Sequence, residues 1–84
     1  MTDLEFQVLD ELYFLTSFQE LAEATALPKN QLKAVLDQLG SKGWLRCYLS
    51  PDEELNAGDT RFTAHNEDLL YLASKAGLLA HNLK

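Results

Sequence analysis

The amino-acid sequence predicts a mainly α-helical domain with one small β-hairpin, and three successive features of the chain predict it. Residues 21–39 read as two amphipathic helices joined by a tight corner. The glycine-containing segment 40–43 then breaks the second of these helices. Across residues 44–49 the apolar spacing becomes strand-like, so we expect a two-stranded hairpin over about residues 44–63. A chain of 84 residues is enough for one domain, 1–84, with one hydrophobic core.

The starts of the first two helices are marked by capping residues. Thr2 or Asp3 can cap the first helix, because short oxygen-bearing side chains accept the unpaired N–H groups of a first turn. Thr16 or Ser17, with Glu20 just beyond, forms the capping-box pattern that opens the second helix. We therefore expect the helix–corner–helix unit to span about residues 17–39.

The third helix is expected to begin with Pro28 at its first position, which suits proline because its missing N–H would be unpaired there anyway. Its apolar stripe consists of Leu32, Val35, Leu36 and Leu39. Its other side is polar and includes Lys29, Asn30, Gln31, Lys33, Asp37 and Gln38. The pattern predicts one buried face and one solvent face.

A last helix is predicted over about residues 64–81, capped by Thr63 or Asn66. Its expected core arc is made of small and aliphatic residues, namely Leu69, Leu72, Ala73, Ala76, Leu79, Ala80 and Leu83. Tyr71 and Leu78 are seven residues apart, so they would lie together on the opposite face. That pair is either exposed to solvent or part of a dimer interface shared with three residues of the first helix, Phe6, Leu9 and Tyr13.

Four short motifs carry a resemblance to a known family: Leu21-Ala22, the helix from Pro28 to Leu39, Gly43-Trp44-Leu45-Arg46 and Arg61-Phe62-Thr63. Together they resemble winged helix-turn-helix proteins such as the MarR-like and ArsR-like regulators, over roughly residues 16–70. The resemblance implies a three-helix core, a two-stranded wing and a C-terminal helix. It also implies DNA binding by the third helix and dimerisation through terminal helices, although it specifies fold better than function.

Charge is unevenly distributed along a chain whose formal net charge is −6. Residues 1–28 carry six acids and no base, whereas residues 29–46 carry four bases and one acid, a local balance of +3. Neutralised phosphates supply most of the non-specific affinity of DNA-binding proteins, so this basic segment is the expected contact. The predicted DNA-binding residues are Lys29, Asn30, Gln31, Lys33, Lys42, Arg46 and Arg61.

Two hypotheses of different class follow. The first is a small DNA-binding transcriptional regulator that acts on double-stranded DNA as a homodimer. The second is a winged-helix module that binds another protein and does not bind DNA. Lys29, Lys33 and Lys42 are also explained as the solvated face of a helix and the turn after it. A second observation against DNA binding is that Asp52, Glu53 and Glu54 in the predicted wing loop 50–59 would repel phosphates.

Enzymatic chemistry has almost no support in the sequence. His65 and His81 are dispersed, and we find no catalytic triad, metal-ligand spacing or glycine-rich phosphate loop. We therefore expect no enzyme activity, metal or cofactor, and we expect Cys47 to act as a small core hydrophobe. The apolar runs are far shorter than the roughly 20 residues of a membrane span, and Met1–Glu5 lacks the basic start of a signal peptide. These features predict a cytoplasmic protein without a membrane partner.

Overall fold

The computed structural model describes residues 2–55 and 66–82, which form four α-helices and a four-stranded antiparallel sheet. The helices are α1 (Asp3–Asp10), α2 (Phe18–Thr25), α3 (Lys29–Ser41) and α4 (Lys75–Asn82). The strands are β1 (Thr16–Ser17), β2 (Leu45–Ser50), β3 (Glu53–Leu55) and β4 (Leu70–Ala73), and a 3-10 turn at Asn66–Asp68 precedes β4. Among the described residues, no helix combines the length and the apolar character needed to span a membrane.

Both predicted helix caps are present, and each is part of a capping box. Thr2 Oγ1 accepts the Glu5 N–H at 3.1 Å, and the Glu5 carboxylate accepts the Thr2 N–H at 2.9 Å. Ser17 and Glu20 make the same reciprocal pair at the start of α2. Each pair satisfies two N–H groups that a helix start leaves without partners, so these local residues fix where the helices begin.

A left-handed backbone conformation follows the end of α2 and also the end of α3. Ala26 has a φ of 58° at the corner between α2 and α3, and Pro28 then precedes the first turn of α3. Gly43 has a φ of 74° just after α3, and the Trp44 N–H donates to the Leu39 carbonyl at 3.0 Å. Glycine adopts this conformation without the steric cost of a Cβ, which explains why the chain leaves α3 here.

The sheet has the strand order β1-β4-β2-β3. Strand β4 pairs with β2 from Leu45↔Ala73 to Tyr48↔Leu70, and its other edge pairs with β1. The first strand of the predicted hairpin is present as β2, but it pairs with β3 and β4 in a larger sheet than the two strands expected. The predicted second strand, Arg61-Phe62-Thr63, lies outside the described residues.

The predicted helix over residues 64–81 is wrong for its middle part, because Leu70–Ala73 is a strand and α4 begins only at Lys75. Leu69, Tyr71 and Ala73 are buried while Leu70 and Leu72 are half-buried, which is the two-residue alternation of a strand. A short apolar run fits helical and strand spacing equally well. Pairing with β1 and β2 on both edges decides in favour of the strand.

The predicted wing loop over residues 50–59 is also wrong in part. Glu53–Leu55 is a strand, and the chain turns tightly at Pro51 and Asp52. Leu55 is buried and pairs with Cys47, so an apolar anchor within the acidic segment holds it against the sheet. Residues 56–63 of the predicted wing, together with the predicted helix start at residues 64–65, lie outside the described residues.

The core lies between the helices and one face of the sheet. Its buried apolar residues come from α1, the segment after it, α2, α3 and the sheet: Val8, Leu9, Leu12, Phe18, Leu21, Leu32, Val35, Leu36, Leu39, Cys47, Leu55, Leu69, Tyr71 and Ala73. Cys47 is therefore the core residue that the sequence predicts. The stripe predicted for α3 is buried in full, and this burial fixes which side of α3 faces solvent.

Candidate nucleic-acid interface

The solvent side of α3 is polar, with one base and one acid among its exposed residues. The exposed residues are Lys29, Asn30, Gln31, Ala34, Asp37, Gln38 and Ser41, and a row of amides, Asn30, Gln31 and Gln38, lies away from the buried stripe. Amide side chains both donate and accept hydrogen bonds, which suits them to base edges in a major groove. The predicted lysines lie beside this row rather than within it.

Lys29 and Lys33 share one carboxylate. Their ammonium groups lie 3.0 and 2.9 Å from the two oxygens of Glu67, which belongs to the 3-10 turn before β4. Hydrogen bonds from Lys33 and Lys29 lower the pKa of the Glu67 carboxyl, so it is ionised at neutral pH. All three side chains are at least partly exposed, and exposed pairs of this kind contribute at most about 1 kcal/mol.

Lys42 is bound to a buried acid. Its Nζ lies 2.7 Å from Glu5 Oε2 and 4.8 Å from the centre of the Trp44 ring. Burial by itself raises the pKa of the Glu5 carboxyl, but hydrogen bonds from Lys42 and Thr2 outweigh it and lower that pKa overall. The ammonium of Lys42 therefore compensates a charge inside the fold.

Arg46 is paired across the hairpin. Its Nη2 and Nε donate to the two oxygens of Glu54 at 2.6 and 3.1 Å, and its guanidinium carbon lies 5.7 Å from the centre of the Tyr48 ring. This forked geometry uses both oxygens of one carboxylate. The hydrogen bonds to Arg46 lower the pKa of Glu54, and those to Glu54 raise the pKa of Arg46.

Each of these four bases thus has a carboxylate of the same chain beside it. With Asp37 on the outer face of α3, four bases stand against four acids, so the local balance is zero instead of +3. The amino-acid sequence does not reveal Glu5 and Glu67 as partners, because they lie 37 and 34 positions from Lys42 and Lys33 and no local spacing signals such a pair. Arg61, the seventh predicted contact, lies outside the described residues.

The predicted dimer interface is wrong for Leu9 and Tyr71, which are completely buried within one chain. Burial also raises the pKa of the Tyr71 hydroxyl. Leu78 is half-buried against the core, and the Phe6 ring stacks on His81 with 4.2 Å between ring centres. Tyr13 is the predicted interface residue with substantial exposure. For Tyr71, the wrong prediction follows from assigning it to a helix, although it lies in β4.

A groove of about 460 Å³ lies beside Lys29, between α2 and the 3-10 turn. Its lining is apolar at the floor and charged at the rim, and consists of Phe18, Gln19, Ala22, Glu23, Lys29 and Glu67. In the described parts of the chain, no group of three or more His, Cys, Asp or Glu side chains is arranged to hold a metal ion.

The α2–corner–α3 unit, the β2–β3 hairpin and the supporting helices together define a winged-helix protein. The chain is similar to the solved structure of a "Multiple Antibiotic Resistance Repressor, MarR", with a TM-score of 0.76 and 19% sequence identity. The similarity covers 99% of this chain and 53% of that one, so this chain spans about half the length of that repressor. The winged-helix class and the resemblance to a MarR-like fold, both predicted from sequence, are confirmed. No protein-family model matches the chain, and no curated protein matches it significantly.

Proposed function

We propose that this chain is the DNA-binding module of a transcriptional regulator and that α3 lies in the major groove of double-stranded DNA. The observation that carries the proposal is the exposed amide row of α3, with Asn30, Gln31 and Gln38 held outward by the buried stripe on the other side. Such amides suit direct contacts to base edges. The similar solved structure is that of a repressor, which supports the same function. The proposed role is non-enzymatic and accords with the predicted cytoplasmic location.

The ion pairs beside α3 weaken the attraction between a single chain and DNA. A phosphate must compete with Glu67 for Lys29 and Lys33, and with Glu54 for Arg46. Exposed pairs are weak enough to be exchanged, but the displaced carboxylates stay beside the DNA and repel it. The predicted homodimer would offset this weakness, because two copies of α3 about 34 Å apart would meet successive major grooves.

The proposal is tested by titrating the protein with random-sequence duplex DNA over about 20–200 mM salt, with light scattering to give the mass in solution. We expect salt-sensitive binding that Lys33→Glu abolishes. Lys75→Glu is the matched control, because it makes the same charge change at an exposed lysine on α4. Equal losses in the two variants, or no binding at the lowest salt, would reject α3 as the DNA contact.

A second function, a winged-helix module that binds protein and not DNA, is favoured by one observation. The charge balance around α3 is zero in the described residues, so the electrostatic term that normally attracts DNA is small. This alternative predicts no DNA binding at any salt concentration, so the same titration separates the two functions.

A further inference from the structure

Four large apolar side chains in the described part of the chain are more than a third exposed, and they lie in two segments that touch. They are Tyr13 at 43%, Phe14 at 82%, Leu15 at 37% and Leu79 at 56%, and we call them the Phe14 surface. The first three lie between α1 and β1, and Leu79 lies on α4. The Tyr13 hydroxyl donates to Asn82 Oδ1 at 3.1 Å, and Asn82 is one helical turn from Leu79.

The Phe14 surface is displayed on an ordered backbone. Thr16 Oγ1 donates to the Phe14 carbonyl at 2.8 Å, which fixes the peptide that carries the ring. The Tyr13 hydroxyl also lies 2.9 Å from His81 Nδ1, and the His81 ring stacks on Phe6 of α1. A surface held in place before binding loses little conformational entropy when a partner arrives.

The size of the Phe14 surface fits a short segment better than a second copy of the chain. Fully exposed aromatic side chains present roughly 150–250 Å², so the exposed parts of these four residues amount to about 400 Å². A stable protein–protein interface buries about 800 Å² on each partner. The largest exposed apolar patch of a soluble monomer is typically about 300–600 Å² and is often functional, so an area of this size is a candidate binding surface.

The charges around the Phe14 surface indicate that the segment it binds is basic. Asp10 and Glu11, both exposed, directly precede the apolar residues, and residues 2–28 contain no base. An oxygen of Asp10 lies 3.3 Å from His81 Nε2, which places this acid beside α4. Lys75, one turn before Leu79 on α4, is the exposed base nearest to Leu79 along the described part of the chain. Pairing of two copies through the Phe14 surface would bring more acids than bases together, so self-association through this surface is disfavoured.

We propose that the Phe14 surface docks a short basic segment of another protein, with an apolar side chain against Phe14 and Lys or Arg beside Glu11 and Asp10. This interaction goes beyond the proposed DNA contact and uses none of its residues. Each function can therefore fail without the other.

The test uses a synthetic amphipathic helix of leucine and lysine, about 14 residues or four turns long, and a matched peptide of leucine and glutamate. We expect the lysine peptide to bind and to shift the amide resonances of Tyr13, Phe14, Leu15 and Leu79. Phe14→Ser should weaken binding at least tenfold without changing the melting temperature, because the ring is exposed. Glu11→Gln should also weaken it, whereas Glu53→Gln, at the opposite edge of the sheet, should not.

Four results would overturn the proposal: no binding of the lysine peptide, equal binding of the glutamate peptide, equal effects of Glu11→Gln and Glu53→Gln, or unchanged affinity in Phe14→Ser. A dimer in solution that Phe14→Ser dissociates would also overturn it, because the occupant would then be a second copy. The peptide-binding results are independent of DNA binding by α3, whereas such a dimer would supply the second copy of α3 that the proposed DNA contact uses.

Discussion

The ammonium group of Lys42 lies 2.7 Å from the carboxylate of Glu5, a side chain that is completely buried. The pair joins the end of α3 to the first turn of α1, where Glu5 also completes the capping box with Thr2. One carboxylate therefore serves both a helix start and a contact between helices. A lysine predicted to contact DNA is instead a structural cation.

Replacing Lys42 should destabilise the fold. Removing one partner of a buried pair costs about 3–5 kcal/mol, but water screens part of this charge because the Lys42 side chain is 41% exposed. We expect Lys42→Met to lower the free energy of unfolding by about 1–3 kcal/mol in urea titrations. Lys29→Met, which removes a more exposed partner of Glu67, should cost under about 1 kcal/mol, and equal losses would contradict a special role for Lys42.

The same pair predicts a pH dependence. The pKa of Glu5 is lower in the fold than its ordinary value, so its stabilisation is present above that ordinary value and is lost as pH falls through the lowered one. We expect the difference in stability between wild type and Lys42→Met to shrink as the pH falls below about 4.3. A difference that stays constant to low pH would show that Lys42 acts through packing alone.

Removing the carboxylate beside Lys29 and Lys33 should strengthen DNA binding. Glu67→Gln frees both ammonium groups for phosphates, and we expect about fivefold higher affinity for duplex DNA at low salt, with a steeper salt dependence. Glu11→Gln changes the net charge equally at the end of α1, so it measures the general effect of charge. If the two variants gained equally, Glu67 would not be restraining the lysines.

Gly77 should not tolerate a side chain. It lies in the first turn of α4, where a Cβ would overlap the Trp44 carbonyl oxygen, and its N–H donates to Ser74 Oγ, which in turn donates to the Gly43 carbonyl. We expect Gly77→Ala to lower the free energy of unfolding by about 1–3 kcal/mol and to lower the melting temperature. At an unconstrained helical position the same change stabilises by up to about 1 kcal/mol, so a gain would show that α4 can move away from Trp44.

Cys47 should be unreactive in the folded protein. Burial raises the pKa of its thiol to about 12, so the nucleophilic thiolate is scarce at pH 8 as well as shielded. We expect a colorimetric disulfide reagent to modify it slowly in buffer and rapidly in urea. Rapid modification of the native protein would place the thiol at the surface.

Local signals and long-range pairing account for different parts of this structure. Caps at Thr2 and Ser17 and the apolar stripe of α3 depend on residues about one to three helical turns apart, and their prediction from sequence is correct. Strand β4 depends on pairing with β2, more than twenty residues earlier, so its short apolar run by itself predicts a helix. The Arg46–Glu54 pair lies between these cases, because it follows from the hairpin register once the strand at Glu53–Leu55 is known.

The sequence by itself determined the winged-helix class, the starts of α1 and α2, the buried face of α3 and the position of Cys47 in the core, because each depends on capping and on apolar spacing along the chain. Tertiary structure alone decided which carboxylates neutralise Lys33, Lys42 and their neighbours, and which apolar residues stay at the surface. The physical reason is that an ion pair needs two side chains within about 4 Å, and a chain brings distant residues that close only when it folds.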